Sequence, residues 1–483
     1  MFSTTRKTIP ALVLLSFVSA LLLGSASVSP LLWWCTVPGL ALLAYTIEAA
    51  PKMRQAILIA YGVGVLKIGI VMSWLLSIYP VDWLTEVSHT TQLIVLIPCY
   101  LGIGFVIGTG FILLTTIRYN TRWVWPLRAL AYGVALVCAE LLGAFLFSLY
   151  TYGPGSFLNT HFDFGMAGYT LADHGILKYL AVYGGVYILS LVCGFLAYCT
   201  RFLFPKRKYL GIAFVLLFIC TGYIVLPQIS QPTSGIAAIG TSFPSFRMET
   251  IEGMKKKQAI LHKAVREALK TGATTVVLPE DARFGFDVSS TTLFEELASM
   301  SHAPGAVVVD SYRTHSTDSS VTLRAYIYDI DAQTTYSYDK KYLVPLGEYV
   351  PYLFSGIRST FSHDTTFSPM QYTQGTAQIV SDAPTYIPSV LFCFENIAGS
   401  LAKEVVHTHS AALMVHPVSH SWFHAFAALE NQERQTLIVQ SLYTGVPIVQ
   451  AGNMAPNVLY TPDGKVHEGT IYRTGEKYSI TLF

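Results

Sequence analysis

Thr274-Thr-Val-Val-Leu-Pro-Glu280 is a β-branched apolar run that closes on a proline and a carboxylate. Beyond it, Ser290–Ser301 reads as a helix and Ala306–Asp310 as a second apolar strand. Strand, helix and strand in close succession imply packed α/β layers. Towards the N-terminus the same order continues, with a helix over Glu249–Thr271 and a strand over Gly235–Gly240. Towards the C-terminus, Leu323–Ile330 and Thr335–Asp339 form a hairpin about Asp331-Ala-Gln. Strands follow at Ser389–Phe392, Ala412–Val415 and Pro447–Ala451, with a helix over Ala425–Thr444. The hairpin makes the sheet mixed rather than purely parallel.

Upstream of this domain the pattern changes. Seven apolar runs, roughly Ile9–Leu23, Leu31–Glu48, Ala56–Ser77, Leu93–Ile117, Leu127–Tyr150, Leu177–Thr200 and Tyr209–Leu226, are expected to cross a membrane. The polar segment Pro227–Gly235 then links two regions, 1–232 and 233–483, and no further apolar run follows up to Phe483. Arg6, Lys7, Lys52, Arg54, Arg118, Arg122, Arg128, Arg201, Lys206, Arg207 and Lys208 all fall in one set of alternating loops. The other loops, 24–30, 78–92 and 152–176, contain no Lys or Arg. Basic residues stay on the cytoplasmic side, so the second half is expected outside the cytoplasmic membrane. Lys67 and Glu140 lie within runs, where a charge is costly and either lines a path or makes a buried structural contact.

Composition agrees. Of 483 residues, 52% are hydrophobic and 12% charged, which excludes a disordered chain and an ordinary soluble enzyme. A net charge of +2 leaves no footprint for nucleic acid. Six of the seven cysteines lie in the apolar half and only Cys393 in the second, so that domain has no internal disulfide.

Glu280, Lys340 and Cys393 each fall at the end of a predicted strand, where α/β folds gather ligands. A thiolate attacks carbonyls, a carboxylate can take its proton, and an ammonium can stabilise the resulting oxyanion. Spacing alone is a weak signal and favours a structural role for them. The words around them are more specific. Leu278-Pro-Glu280, Tyr338-Asp-Lys340-Lys-Tyr-Leu343 and Phe392-Cys393-Phe-Glu395 occur in the order of the nitrilase superfamily of carbon–nitrogen hydrolases, which they resemble. Lys340-Lys-Tyr-Leu-Val-Pro-Leu-Gly-Glu-Tyr-Val-Pro351 is similar to the signature of the apolipoprotein N-acyltransferase family. Ala139-Glu140-Leu-Leu-Gly and Gly185-Val-Tyr-Ile-Leu-Ser190 in the apolar half are similar to it too.

The resemblance implies a multi-span α-helical bundle followed by a nitrilase-like α-β-β-α sandwich in the bacterial inner membrane. It implies transfer of an acyl chain from a phospholipid donor, through a thioester on Cys393, to the N-terminal diacylglyceryl-cysteine of a lipoprotein. Glu280 would be the general base and Lys340 the oxyanion stabiliser, with Glu348 and Glu395 as supporting acids. A membrane-tethered amidase and a non-catalytic lipoprotein-binding homologue are the alternatives. The usual Lys-x-His-Leu reads Lys340-Lys-Tyr342-Leu here, Phe394 replaces a tyrosine after the nucleophile, and Ser419-His-Ser-Trp422-Phe423 stands for Asn-Asp-Ala-Trp-Phe. Successive strand residues face opposite ways, so only one of Lys340 and Lys341 serves, and the motif register selects Lys340.

Tyr349, Trp422 and Phe423 are candidates to line an acyl groove or to meet the interface. His416, His420 and His424 recur at helical spacing, but Pro417 argues against a helix, and neither a metal nor another cofactor is expected.

Overall fold

The computed structural model describes residues 9–81, 88–119, 122–206, 208–224, 234–244, 250–315, 321–356, 372–375, 382–425 and 427–483. The linker at 227–233 and the basic residues Arg6, Lys7 and Arg207 lie outside them. The first half is a helical bundle: α1 (Ile9–Val28), α2 (Thr36–Ala49), α3 (Met53–Val71), α4 (His89–Gly108), α5 (Trp125–Tyr150), α6 (Ala181–Lys206) and α7 (Lys208–Gly222). With short 3-10 extensions, six segments among the described residues are long and apolar enough to cross a membrane. The expected seventh, α7, has 15 residues, about 22 Å of helix. It nonetheless returns to the end of the bundle reached by α1, α3 and α5, where the Gly222 carbonyl accepts from Gly175 N at 2.7 Å.

Helices without a polar stripe need close backbone packing rather than a buried apolar face. Gly133 and Gly194 supply it between α5 and α6, where a Cβ on Gly194 would stand 2.7 Å from the Gly133 Cα. Lys67 and Glu140 are buried 3.7 Å apart. Lys67 Nζ donates to the Gly165 carbonyl at 2.7 Å, and Glu140 Oε1 accepts from Ala167 N at 2.6 Å. Their charges thereby pin the loop after α5 to α3 and α5.

The second half contains α8 (Ile251–Lys270), α9 (Ser290–Met300), α10 (Gly399–His409) and α11 (Ala427–Thr444). Its strands are β1 (Ile236–Thr241), β2 (Thr275–Val277), β3 (Val307–His315), β4 (Val321–Asp329), β5 (Thr334–Asp339), β6 (Ser389–Val390), β7 (Met414–Ser419), β8 (Ile448–Asn453), β9 (Val458–Tyr460), β10 (Val466–His467), β11 (Thr470–Gly475) and β12 (Tyr478–Leu482). Parallel pairs β1–β2 and β2–β3 continue into antiparallel β4 and β5, with β12 on the other edge of β1. Parallel β6–β7–β8 continue into antiparallel β9 and β10. Among the described residues, one pairing, Thr241 opposite Asn453, joins the two groups.

Alternation in β1 explains the layers. Ala237 and Ile239 face α8 and α9 in one apolar cluster, while Ile236 and Ala238 share another with β6–β8, α10 and α11. The two strand groups thus lie between two helical layers, the expected sandwich. The helix α10 and the strands β9–β12 have no counterpart in the expected order of elements.

The second half docks on the end of the bundle whose loops lack Lys and Arg. From α11, Gln432 Nε2 donates to the Val71 carbonyl (2.8 Å), Asn431 Nδ2 to the Ser27 carbonyl (3.4 Å) and Arg434 Nη2 to Asp173 Oδ1 (2.6 Å). Ser27 and Val71 close α1 and α3, and helix ends leave such carbonyls without intrahelical partners. At the opposite end, Glu48 pairs with Arg128 (2.5 Å) and Arg201 (3.1 Å), and Arg118 caps the Ile47 and Ala50 carbonyls.

Candidate active site

Glu280 follows β2 and precedes a tight turn in which Asp281 and Arg283 adopt positive φ (55° and 65°). Such backbone is costly for residues with a Cβ and persists only where its surroundings hold it. Here Asp281 N donates to Ser311 Oγ (2.9 Å), and the Asp281 carboxylate takes Arg283 (2.8 Å) and Arg313 (3.2 Å). Lys257, from the basic run on α8, donates to the Asp281 carbonyl at 3.2 Å.

Lys340 follows β5, and its N–H donates to the Leu323 carbonyl at 2.9 Å, continuing the ladder with β4. The side chain is almost wholly buried, and Nζ donates to Glu280 Oε1 (2.9 Å) and Glu348 Oε1 (2.8 Å). Glu348 is held by its own turn, since its Oε2 accepts from Val344 N at 2.8 Å. Lys341 points the other way, to Glu404 at 2.9 Å.

Cys393 opens a 3-10 turn, Cys393–Ile397, just after β6. Its half-buried thiol lies 4.0 Å from the Ser419 carbonyl at the end of β7. Glu395 braces this turn against the Lys340 loop. It accepts from Phe392 N (2.9 Å), Lys341 N (2.6 Å), Tyr342 N (3.2 Å) and the Tyr338 hydroxyl (3.2 Å). One buried carboxylate thus ties the Cys393 turn to the backbone just after Lys340.

Electrostatics tie the three candidates together. Burial opposes the Lys340 charge, but Glu280, Glu348 and Cys393 outweigh it and hold the ammonium well above its ordinary pKa. Burial pushes the Glu280 carboxyl up, Lys340 opposes that and Glu348 adds to it. The Cys393 thiol is driven well above its usual range, first by burial and then by Glu280 and Glu433. At rest the site thus holds a permanent cation, a carboxylate with raised proton affinity and a protonated thiol. That set can pass a proton from sulfur to carboxylate while an ammonium waits for developing negative charge. Burial also lifts Glu395, to about 7, against its backbone N–H donors.

The remaining candidates fall around this centre. The Trp422 ring covers Gly347, where a Cβ would stand 2.4 Å from it. The ring centroids of Phe423 and Trp74, the latter in the 3-10 turn after α3, lie 5.4 Å apart. Phe394 packs into the same aromatic cluster as Phe147, Phe162 and Phe164. Tyr349 is buried, and its hydroxyl donates to the Thr151 carbonyl at 2.8 Å, seating the Lys340 loop on the bundle. Tyr342 does likewise, accepting from Asn159 Nδ2 (3.0 Å) and stacking on His161 at 4.3 Å. His416 lies in β7, with Nδ1 against the Leu391 carbonyl (2.6 Å), and His424 Nε2 lies against the Pro80 carbonyl (2.8 Å). The three histidines do not converge, and no His, Cys, Asp and Glu cluster suited to a metal occurs among the described residues.

Sequence reasoning missed Glu433 and Asn453. Glu433 sits within Glu430-Asn-Gln-Glu-Arg-Gln435, a polar run without a periodic apolar face to show which side is buried. Asn453 closes β8 and bonds Thr241 Oγ1 (2.9 Å) and Ser419 Oγ (3.0 Å), so it fixes the strand end beneath the thiol.

Residues 19–199 match the family model described as the apolipoprotein N-acyltransferase N-terminal domain. An apolipoprotein N-acyltransferase of Ralstonia nicotianae is 23% identical over 90% of this chain and 80% of its own. One from Chromobacterium violaceum is 24% identical over 96% of this chain and 87% of its own. Among solved structures, an amidase from Nesterenkonia sp. aligns with 53% of this chain and 93% of its own, at 13% identity and a TM-score of 0.35. A carbon–nitrogen hydrolase from Helicobacter pylori aligns with 51% of this chain and 88% of its own, at 11% identity and a TM-score of 0.37. The similarity to apolipoprotein N-acyltransferases thus extends over nearly the whole chain.

Proposed function

We propose that this membrane protein is an N-acyltransferase that moves an acyl chain from a phospholipid to the N-terminal amine of a diacylglyceryl-cysteine lipoprotein. The observation that carries the reading is the Glu280–Lys340–Glu348 ion cluster about Cys393, set where the second half meets a membrane bundle. Glu280 takes the thiol proton as the sulfur attacks the acyl ester carbonyl. The oxyanion forms beside the Lys340 ammonium, which Glu348 keeps charged. Collapse breaks the ester C–O bond, Glu280 returns the proton to the departing lysophospholipid oxygen, and a thioester remains. The lipoprotein amine, in its neutral form, then attacks the thioester and gives a proton to Glu280. Amide formation releases the thiolate, which recovers that proton.

The surroundings support lipid substrates. Phe394 joins Cys393 to an apolar cluster continuous with the bundle, which sets the thiol directly against the membrane half. The second half sits on the end of the bundle without basic loops, opposite Arg118, Arg128 and Arg201, and with the positive-inside bias this supports a site on the outer, periplasmic face of the inner membrane. Holding both substrates in the membrane plane supplies proximity.

The test is acyl transfer from labelled phospholipid by the full chain in proteoliposomes. Label is expected on the Cys393 peptide, with double-displacement kinetics, and its complete loss in Cys393→Ala. Equal labelling of that variant sinks the proposal. Free fatty acid in place of N-acylated peptide would instead indicate a hydrolase.

A further inference from the structure

Behind the thiol lies a second ion pair, which the acyl-transfer steps leave unused. His420, the residue after β7, is fully buried, and its Nε2 is 2.8 Å from Glu433 Oε2 on α11. The main chain holds it there: His420 N donates to the Asn453 carbonyl at 2.9 Å. The preceding residue, Ser419, is the one whose carbonyl faces Cys393 Sγ. The pair and the thiol therefore share one strand end. Glu433 is itself buried and bears directly on the thiol, raising its proton affinity alongside burial and Glu280.

Two buried negative charges, Glu280 and Glu433, would make a thiolate between them costly, because a buried charge is weakly screened. One of them must accept the proton, so Glu280 cannot be dispensed with. Glu433 can be neutralised where it stands. Among the described residues, the groups acting on His420 include Glu433 and Glu430 from α11, Glu280 from the turn after β2 and His416 from β7. Burial opposes charge on the imidazole, but Glu433, Glu430 and Glu280 outweigh it and raise its pKa.

We propose that His420 and Glu433 are a positioning pair for Cys393: the buried imidazolium cancels the carboxylate behind the thiol, so that the sulfur loses its proton against one negative neighbour rather than two. The inference rests on the acyl-transfer reading for its purpose, but its test reads the thiol alone. Replacing His420 with a neutral side chain uncovers Glu433 and suppresses the thiolate. Removing Glu433 as well restores it. When only Glu433 is replaced, the buried imidazole is left without its carboxylate and favours its neutral form, so the thiol again has a single negative neighbour.

The experiment is the pH dependence of Cys393 alkylation by iodoacetamide in the full detergent-solubilised chain, with the Cys393 peptide followed by mass spectrometry. One unit of thiol pKa is a tenfold change in thiolate. His420→Asn should alkylate about tenfold more slowly than the native chain near neutral pH. His420→Asn/Glu433→Gln should return to within about twofold of the native rate. Above the pH at which native His420 loses its proton, Glu433→Gln should alkylate faster than the native chain. Equal profiles for all four proteins overturn the proposal, as does an unchanged or faster rate in His420→Asn, or a slow rate that the double variant does not restore. If alkylation follows the expected order while no acyl group moves from phospholipid, the acyl-transfer reading fails and the pairing stands.

Discussion

At the scale of single residues, Glu395 carries more of the site's geometry than its position beside Cys393 suggests. Three backbone N–H groups and one hydroxyl point at its two oxygens, so an amide in its place must turn an NH2 towards a donor. Glu395→Gln should cost about 1–3 kcal/mol, the penalty of a buried polar group left unsatisfied. Thermal unfolding in detergent, together with a slower acylation step, checks it, and an unchanged melting temperature refutes it. Lys340→Met should leave two carboxylates facing each other without a cation, so that one takes up a proton. Acyl-enzyme formation should then fall by at least about a hundredfold, as when an oxyanion donor is removed. Glu280, Lys340 and Cys393 stand out as candidates because each follows a strand and sits in a recognisable word. Glu433 was not, because its burial is decided by what α11 docks against, and no local pattern records that.

At the scale of elements, the Lys340–Pro351 loop is fastened from two sides. Glu395 holds its start to the Cys393 turn, while Tyr342 and Tyr349 hold it to the loop after α5. Tyr342 stands where the family pattern has histidine, and its hydroxyl and ring meet Asn159 and His161. Tyr342→Phe should lose one hydrogen bond, about 1 kcal/mol, whereas Tyr342→Ala should cost about 3 kcal/mol or more by leaving a cavity at the junction. Urea unfolding of the two variants separates the cases, and equal losses would show that the ring contributes nothing. The alternation of apolar and charged stretches revealed most strands and helices to within a few residues. It did not reveal α10, whose Gly399-Ser-Leu-Ala-Lys-Glu-Val-Val start is brief and follows directly on the Cys393 turn. Nor did it reveal β9–β12, which are short and interrupted by turns.

Across the whole molecule, Asp163 couples the two halves. It is buried, its N–H donates to the Ile397 carbonyl (3.0 Å), and its Oδ2 accepts from Gly399 N (3.0 Å). Burial lifts its carboxyl to about 8, against the Gly399 N–H, which favours the charged form. Unfolded, the same group titrates near 3.9. Between those values the folded state holds the extra proton, so this contribution is greatest in acid, declines as pH rises from about 4 to about 8, and is constant above. Asp163→Asn should therefore gain on the native chain by a few degrees in melting temperature as pH is raised through that window. A constant difference across it would exclude the assignment. The two-part organisation was readable from hydropathy and the basic loops alone, whereas the docking contacts join residues far apart in sequence that carry no shared pattern. Those contacts also set an order of assembly during synthesis. The ribosome makes Cys393 well before Ala427–Thr444, the helix that grips Ser27, Val71 and Asp173 and carries Glu433. Until that helix emerges, the newborn Cys393 lacks Glu433 and the grip of α11 on the bundle, so the surroundings of its sulfur are completed only after Ala427–Thr444 has been made.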